Sequence, residues 1–201
     1  MEYLQHLQKD KKLASIFGKE VFELTLHPDI PLRLMASIMS QQLNTKVAKV
    51  IFHRFLDLYK GKEPKPKQVL DTPFEQLRGI GLSNAKVGYV QNVANFCTQQ
   101  KITDKKLLVM SNEEIIELLT QIKGVGKWTV EMLLMFTLGR EDVFAVDDLG
   151  IQQAMIKLYN LDTTDKKKIK EQMLQLSEKW SPFRTYACLY LWGWKDNPPA
   201  L

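Results

Sequence analysis

Leu119 to Ile151 reads L-T-Q-I-K-G-V-G-K-W-T-V-E-M-L-L-M-F-T-L-G-R-E-D-V-F-A-V-D-D-L-G-I. Apolar residues recur at helical spacing on both sides of the turn formed by Gly124, Val125 and Gly126. Two carboxylates, Asp147 and Asp148, follow 21 and 22 residues past the second glycine. Glycines can take positive φ and leave the backbone without side-chain cover. The first amides of the following helix then face outward, where the helix dipole favours an anion. A phosphate held there is gripped without any reading of base sequence. Lys127 adds a charge beside it and Thr129 a hydroxyl. A lone G-x-G is ordinarily only a helix–helix turn ended by glycine. The full string I-K-G-V-G-K-W-T-V is far more specific. A phosphate grip followed by acids suits an enzyme that acts on a nucleic-acid backbone or base.

Bulk properties fit that reading without establishing it. The chain has 201 residues, 45% hydrophobic and 25% charged, in the range of an ordinary globular protein. Its net charge of +5 permits nucleic-acid binding. Lysine clusters such as Lys60, Lys62, Lys65 and Lys67 read first as solvated loops. The two cysteines, Cys97 and Cys188, are far apart and lack ligand spacing, so neither a disulfide framework nor a four-cysteine cluster is expected. They read as reduced, buried thiols. The start, M-E-Y-L-Q-H-L-Q-K-D-K-K, has no secretory apolar region, and no run is long enough to span a bilayer. An intracellular protein with no membrane partner is expected.

Around the central stretch the pattern is almost wholly helical. Leu32 to Tyr59 carries apolar residues three and four apart, with Asn44 and Thr45 breaking it into two helices. Gly61 to Lys67 reads as a loop because of its prolines. Pro73 opens a short helix at its first position. Arg78 to Leu82 is a second glycine turn, and Ser83 caps a helix to about Gln99. Ser111 and Glu114 form a capping box for a helix to about Thr120. Thr129 to Leu138 is an apolar helix ended by Gly139. Asp147 or Asp148 caps a helix to about Tyr159. Asp165 starts another through Trp180, and Pro182 starts the last. Val21 to Leu26 reads as a strand or a helix turn.

Leu118 to Ile151 resembles the helix-hairpin-helix motif and acidic loop of a DNA glycosylase superfamily. Within it, G-V-G-K-W-T and D-V-F-A-V-D-D are most similar to the alkylation-repair branch, 3-methyladenine DNA glycosylase II. Ser40-Gln41-Gln42-Leu43, Gly81-Leu82-Ser83 with Ala85-Lys86, and Trp180-Ser181-Pro182-Phe183-Arg184 through Trp192 resemble further segments of that branch. The likeness covers about Leu32 to Trp194. It implies an all-α, two-lobed fold with a cleft between lobes and the hairpin at 118–138. One lobe would combine about 1–35 with 160–201, and the other would span about 36–159. The branch's longer members carry an extra N-terminal sheet domain, and about thirty residues before Leu32 are too few to hold it in full.

The resemblance also implies chemistry. Breaking the bond between a base and deoxyribose produces an oxocarbenium-like sugar, as in sugar hydrolysis. A carboxylate there stabilises the charge and aligns water. Asp147 matches the family's essential aspartate, and Asp148 is the alternative. Either acid also reads simply as a helix N-cap. Members that also cut the backbone carry a Schiff-base lysine where this chain has Trp128; Lys127 is one residue earlier and points elsewhere. A monofunctional enzyme using water is therefore implied, without an iron–sulfur cluster and with no required cofactor. The base must leave the stack, and an apolar wedge fills the gap. Leu43 is the implied wedge, with Gln42 beside it. Trp128, Trp192, Met132 and Tyr190 are the implied base pocket, where aromatic faces attract a cationic alkylpurine by about 0.5–2 kcal/mol. Met132 and Tyr190 depart from the ring residues of the best-known bacterial relative, which leaves lesion range open. Gly124, Gly126, Lys127 and Thr129 would bind the DNA backbone. Backbone carbonyls of Thr120, Ile122 and Val125 would hold a structural Na⁺ or K⁺.

The expected activity is excision of 3-methyladenine- and 7-methylguanine-type bases from double-stranded damaged DNA, leaving an abasic site for base excision repair. Two alternatives stand beside it: a glycosylase of this fold for deaminated or etheno bases, and a non-catalytic helix-hairpin-helix DNA-binding protein. A monomer is expected, nucleoid-associated in the cytoplasm of a bacterium or nuclear in a eukaryote.

Overall fold

The structure, a computed structural model, describes residues 1–196, apart from the side chains of Thr45, Lys166 and Asp196. All regular elements among these residues are helices. They divide into two compact units, one of 26–138 and one of 1–25 with 139–196. The divisions fall at 25/26 and 138/139, not near 35 and 159. The segment 139–159, which carries both acids, therefore goes with the chain ends. The reason is packing: the helix Leu149–Tyr159 lies against the last helix, Arg184–Asp196.

The unit 26–138 contains α3 (Ile30–Ser40), α4 (Thr45–Asp57), α5 (Pro66–Leu70), α6 (Phe74–Gly79), α7 (Asn84–Gln99), α8 (Asp104–Leu108), α9 (Asn112–Leu119) and α10 (Lys127–Phe136). Helix α3 is its hub and packs on α4, α7 and α10. It is apolar on nearly every side; Leu32, Leu34, Met35, Ile38 and Met39 are all buried. A helix apolar all round belongs inside a protein. Asn44 accepts from the Val47 amide and caps α4, so the expected break stands where it was placed. Ser83 caps α7, and Ser111 with Glu114 closes the capping box of α9. The proline loop is shorter than expected. Pro66 occupies the first turn of α5, where its missing N–H has no helical partner to lose. Pro73 is one step earlier than expected, at the cap of α6.

The other unit contains α1 (Glu2–Leu7), α2 (Lys11–Ala14), α11 (Leu149–Tyr159), α12 (Lys166–Glu178) and α13 (Arg184–Asp196). Its centre is a polar hub around Asp10. One carboxylate oxygen caps α2, and the other accepts from Tyr159 Oη and Trp180 Nε1 and pairs with Lys179 at 2.9 Å. Burial alone would raise the Asp10 carboxyl; the hydrogen bonds from Lys179, Tyr159 and Trp180 outweigh it and bring it down to about 2. Val21 to Leu26 is neither strand nor helix. The Phe22 amide there is taken up by the Tyr3 hydroxyl, so no ladder is needed. The last helix starts at Arg184, two residues after Pro182, because Ser181 and Arg184 are both drawn onto Asp142. Both cysteines are buried, and neither is in a disulfide. Among the described residues no helix is long and apolar enough to cross a membrane.

Candidate active site

The hairpin is built by α9, a turn and α10. The Val125 amide donates to the Ile122 carbonyl at 2.9 Å, and Asn92 Nδ2 of α7 donates to the Lys123 carbonyl at 3.1 Å. Gly124 has φ +103°, and a Cβ on it would stand 2.3 Å from Cγ of Tyr89. Glycine is required there twice, by dihedral and by space. Gly126 differs. Its φ is −93°, so the expectation of positive φ holds for Gly124 alone. Gly126 caps α10 with no side-chain hydrogen bond, and a Cβ on it would meet nothing within 4 Å. Nothing in the fold demands glycine at 126. Its effect is to leave room for an anion to approach the first turn of the ten-residue helix α10.

Lys127 and Thr129 separate on the helix. Lys127 is exposed and lies 3.5 Å from the buried carboxylate of Glu131. Thr129 is buried, and its hydroxyl accepts from Gln41 Nε2 at 3.3 Å. Two residues on a helix are about 200° apart, so Thr129 serves the α3–α4 turn and not the surface beside Lys127. Trp128 is 40% exposed at the start of α10. Met132, one turn on, is half-buried and lines an open groove of about 380 Å³ with Phe136 of α10, Ala36 and Ser37 of α3 and Phe52 of α4.

The turn between α3 and α4 carries the implied wedge. Leu43 is 38% exposed, and Gln42 is exposed with φ +58°. That left-handed conformation is strained for glutamine. Four hydrogen bonds hold it. The Leu43 amide donates to Ser40, Asn44 caps α4, and Lys86 Nζ donates to the carbonyls of Met39 at 3.0 Å and Gln41 at 2.6 Å.

The acids lie in the other unit. Val143, Phe144, Ala145 and Val146 are buried, but the run is not a strand. Its polar groups are met individually: the Val143 amide donates to Thr185 Oγ1, and the Val146 carbonyl accepts from Gln152 Nε2. The chain then turns out through Asp147 and Asp148, whose roles separate. Asp148 is the cap of α11, and its Oδ1 accepts from the Ile151 amide at 2.9 Å and from Trp192 Nε1 at 2.8 Å. Gly150 makes room for this, since a Cβ there would stand 3.0 Å from both Trp192 Cδ1 and Asp148 Oδ1. Asp147 takes no part in the cap. Its side chain is 42% exposed, and its Oδ1 meets Lys170 Nζ of α12 at 2.6 Å. An exposed pair of this kind contributes at most about 1 kcal/mol to stability. It orients one oxygen and leaves the carboxylate reachable.

Two residues grouped by the sequence face different neighbours. Trp192 lies against Asp148. Tyr190, two residues earlier on α13, is buried; it stacks on Phe17 at 4.1 Å, and its hydroxyl donates to the Glu20 carbonyl. The motif Trp180-Ser181-Pro182-Phe183-Arg184 also acquires a physical role. Trp180 serves Asp10, while Ser181 and Arg184 hold Asp142 at 2.8 and 2.6 Å. Burial would raise the Asp142 carboxyl, but the Arg184 and Ser181 hydrogen bonds outweigh it and lower it. Lys170 has no signal in the sequence, and Lys86, part of a segment that resembles the family, has no role that the sequence assigns. Each meets its partner across tens of residues, and neither interval has a local signature.

Comparison with known proteins agrees with this geometry. Residues 35–181 match the family model described as HhH-GPD superfamily base excision DNA repair protein. The chain is 42% identical over 161 residues to DNA-3-methyladenine glycosylase 1 of Schizosaccharomyces pombe, covering 79% of this chain and 69% of that protein. It superposes with TM-score 0.84 on the S. pombe 3-methyladenine DNA glycosylase solved in complex with abasic DNA, at 34% identity over the whole of both chains. It also superposes with TM-score 0.82 on a DNA-3-methyladenine glycosidase from Bacillus halodurans, at 33% identity over 96% of this chain and 88% of that one. With its bare-capped hairpin and its exposed aspartate, the chain belongs to the HhH-GPD superfamily of base excision DNA repair proteins, among the DNA-3-methyladenine glycosylases.

Proposed function

We propose that this protein binds double-stranded DNA as a monomer and excises alkylated purines through Asp147. The observation that carries the residue assignment is the division of labour at 147–148. Asp148 is committed to the α11 cap and to Trp192, whereas Asp147 stands clear of both and is exposed. Alkylation makes the purine cationic, so it departs as a neutral base with the electron pair of the N-glycosidic bond. The sugar left behind is cationic at C1′. The Asp147 carboxylate stabilises that charge, and water then adds to C1′ and passes its proton to the Asp147 carboxylate, which returns it to solvent. Trp128 at the surface of α10, where a lyase would carry its lysine, supports base removal without strand cleavage.

The hairpin supplies the hold on the backbone. Its open amides and Lys127 suit a phosphate. The carbonyls of Thr120, Ile122 and Val125 would hold a monovalent cation; the Ile122 carbonyl already accepts from the Val125 amide and would offer its second lone pair. Thr120 ends α9, where carbonyls lack intrahelical donors, and oxygen-only donors suit a hard ion. Such an ion would lend positive charge beside the phosphate.

The test is release of free base from methylated duplex DNA. Wild type should release 3-methyladenine and 7-methylguanine, Asp147→Asn should release neither at a comparable rate, and both should bind an abasic-site analogue. Equal rates in the two proteins would remove Asp147 from the mechanism. Release of only hypoxanthine or ethenoadenine would move the enzyme to another lesion class. No release of any base would leave only a DNA-binding protein.

A further inference from the structure

We infer that Lys86 is a positioning residue for the wedge, acting through the backbone of the α3–α4 turn. This rests on the reading of Leu43 as the residue that enters the gap left by the flipped base. A wedge of this kind must be pre-set. It enters the stack as the base leaves, and each degree of freedom it retains is an entropic cost at that moment. Yet Gln42, immediately before it, has a φ of +58°, a conformation that glutamine leaves unless it is held.

Lys86 is what holds it. Its ammonium, brought in from the first turn of α7, donates to the Gln41 carbonyl at 2.6 Å and to the Met39 carbonyl at 3.0 Å. These carbonyls lie at the C-terminal end of α3, where a positive charge is favoured by the helix dipole. The clamp therefore grips the residues on the helical side of Gln42, while Asn44 fixes the other side by capping α4. Lys86 is half-buried, and burial draws its ammonium down from the usual lysine range. A lysine that gives up water to meet two carbonyls is not a solvated surface charge. A side-chain bond from Gln41 to Thr129 ties the same turn to α10, the helix that opens at the hairpin. The wedge is thereby referenced to the grip on the backbone by side chains within one unit.

The experiment is a double-mutant cycle between Lys86→Met and Leu43→Ala. It reads single-turnover release of 7-methylguanine and the fluorescence of 2-aminopurine placed beside the lesion, which reports unstacking. Leu43→Ala should slow release and weaken the unstacking signal. Lys86→Met should slow release about tenfold in the wild-type background, with the unstacking signal reduced in parallel. Lys86→Arg, which keeps the charge and the donors, should restore most of the rate. In the Leu43→Ala background Lys86→Met should change the rate by less than about twofold, because there is no wedge left to place. Equal slowing by Lys86→Met in both backgrounds would overturn the inference and make Lys86 a fold or DNA-contact residue. A wild-type rate for Lys86→Met would overturn it directly. A wild-type rate for Leu43→Ala would instead remove the wedge reading, and the inference with it. Thermal unfolding of each variant separates these outcomes from loss of fold, and Lys86→Gln, which keeps an N–H donor group but loses the charge, gives an intermediate rate if Lys86→Met does not fold.

Discussion

Two helices of this protein begin within a short distance of residues that matter for its chemistry, and they begin in opposite ways. Helix α10 starts on Gly126, which has no side chain to cap it. Helix α11 starts on Asp148, whose carboxylate closes the cap and also takes Trp192. A side-chain cap stabilises a helix start, as Asp148 does for α11. Helices α1 and α6 also lack one, but α10 starts on a glycine inside the hairpin, where an added Cβ would meet nothing within 4 Å and an anion has room to approach. The capped start matters too. Because Asp148 completes α11, the neighbouring Asp147 is released from structural duty and stands exposed beside Lys170.

The sharpest way to break this contrast is at the two acids. Asp147→Asn should reduce base release by about 100- to 1000-fold while the melting temperature stays near wild type. An unchanged rate would mean that exposure at 147 has no chemical purpose. Gly124→Ala should be the most damaging change for stability in the hairpin, by about 3 kcal/mol, since it adds a strained dihedral and a clash with Tyr89. Thermal or denaturant unfolding reads it, and a neutral result would show that the turn can move off Tyr89. Asp148→Ala should cost about 2 kcal/mol of stability, through loss of the cap and of the Trp192 partner. If it left unfolding unchanged but abolished base release, the assignments of 147 and 148 would be exchanged. Gly126→Ala should be the mildest. It finds open space, so unfolding shifts by less than about 1 kcal/mol, while affinity for an abasic duplex falls about tenfold because a methyl group stands over the open amides. Intact affinity would mean that the phosphate is held elsewhere. Titrating salt sharpens the result, since a lost phosphate contact lowers the slope of log affinity against log salt.

Much of this was legible beforehand because it is local. Asn44, Ser83, Ser111 with Glu114, and Gly139 signalled helix ends through short-range hydrogen bonding and backbone freedom. The hairpin string and its family likeness pointed to the same segment. The shorter proline loop and the late start of α13 were misjudged because proline both ends and starts helices. Which role it takes depends on partners such as Asp142 that lie far along the chain. Tyr190 and Trp192 were grouped by a motif, although two residues on a helix face different ways.

The sequence by itself determined the helical content, the glycine turn, the pair of acids and the family. Those follow from periodicity, capping chemistry and a motif, all written within a few turns of chain. Only the tertiary structure decided that Gly124 is locked by Tyr89 while Gly126 is open, that Asp148 is the cap and Asp147 is exposed, that Thr129 is buried, and that Lys86 and Lys170 reach the α3–α4 turn and the acid. The physical reason is range. A carboxylate's role depends on which donors come within about 3 Å of it, and here those donors come from α12 and α13, tens of residues further along the chain.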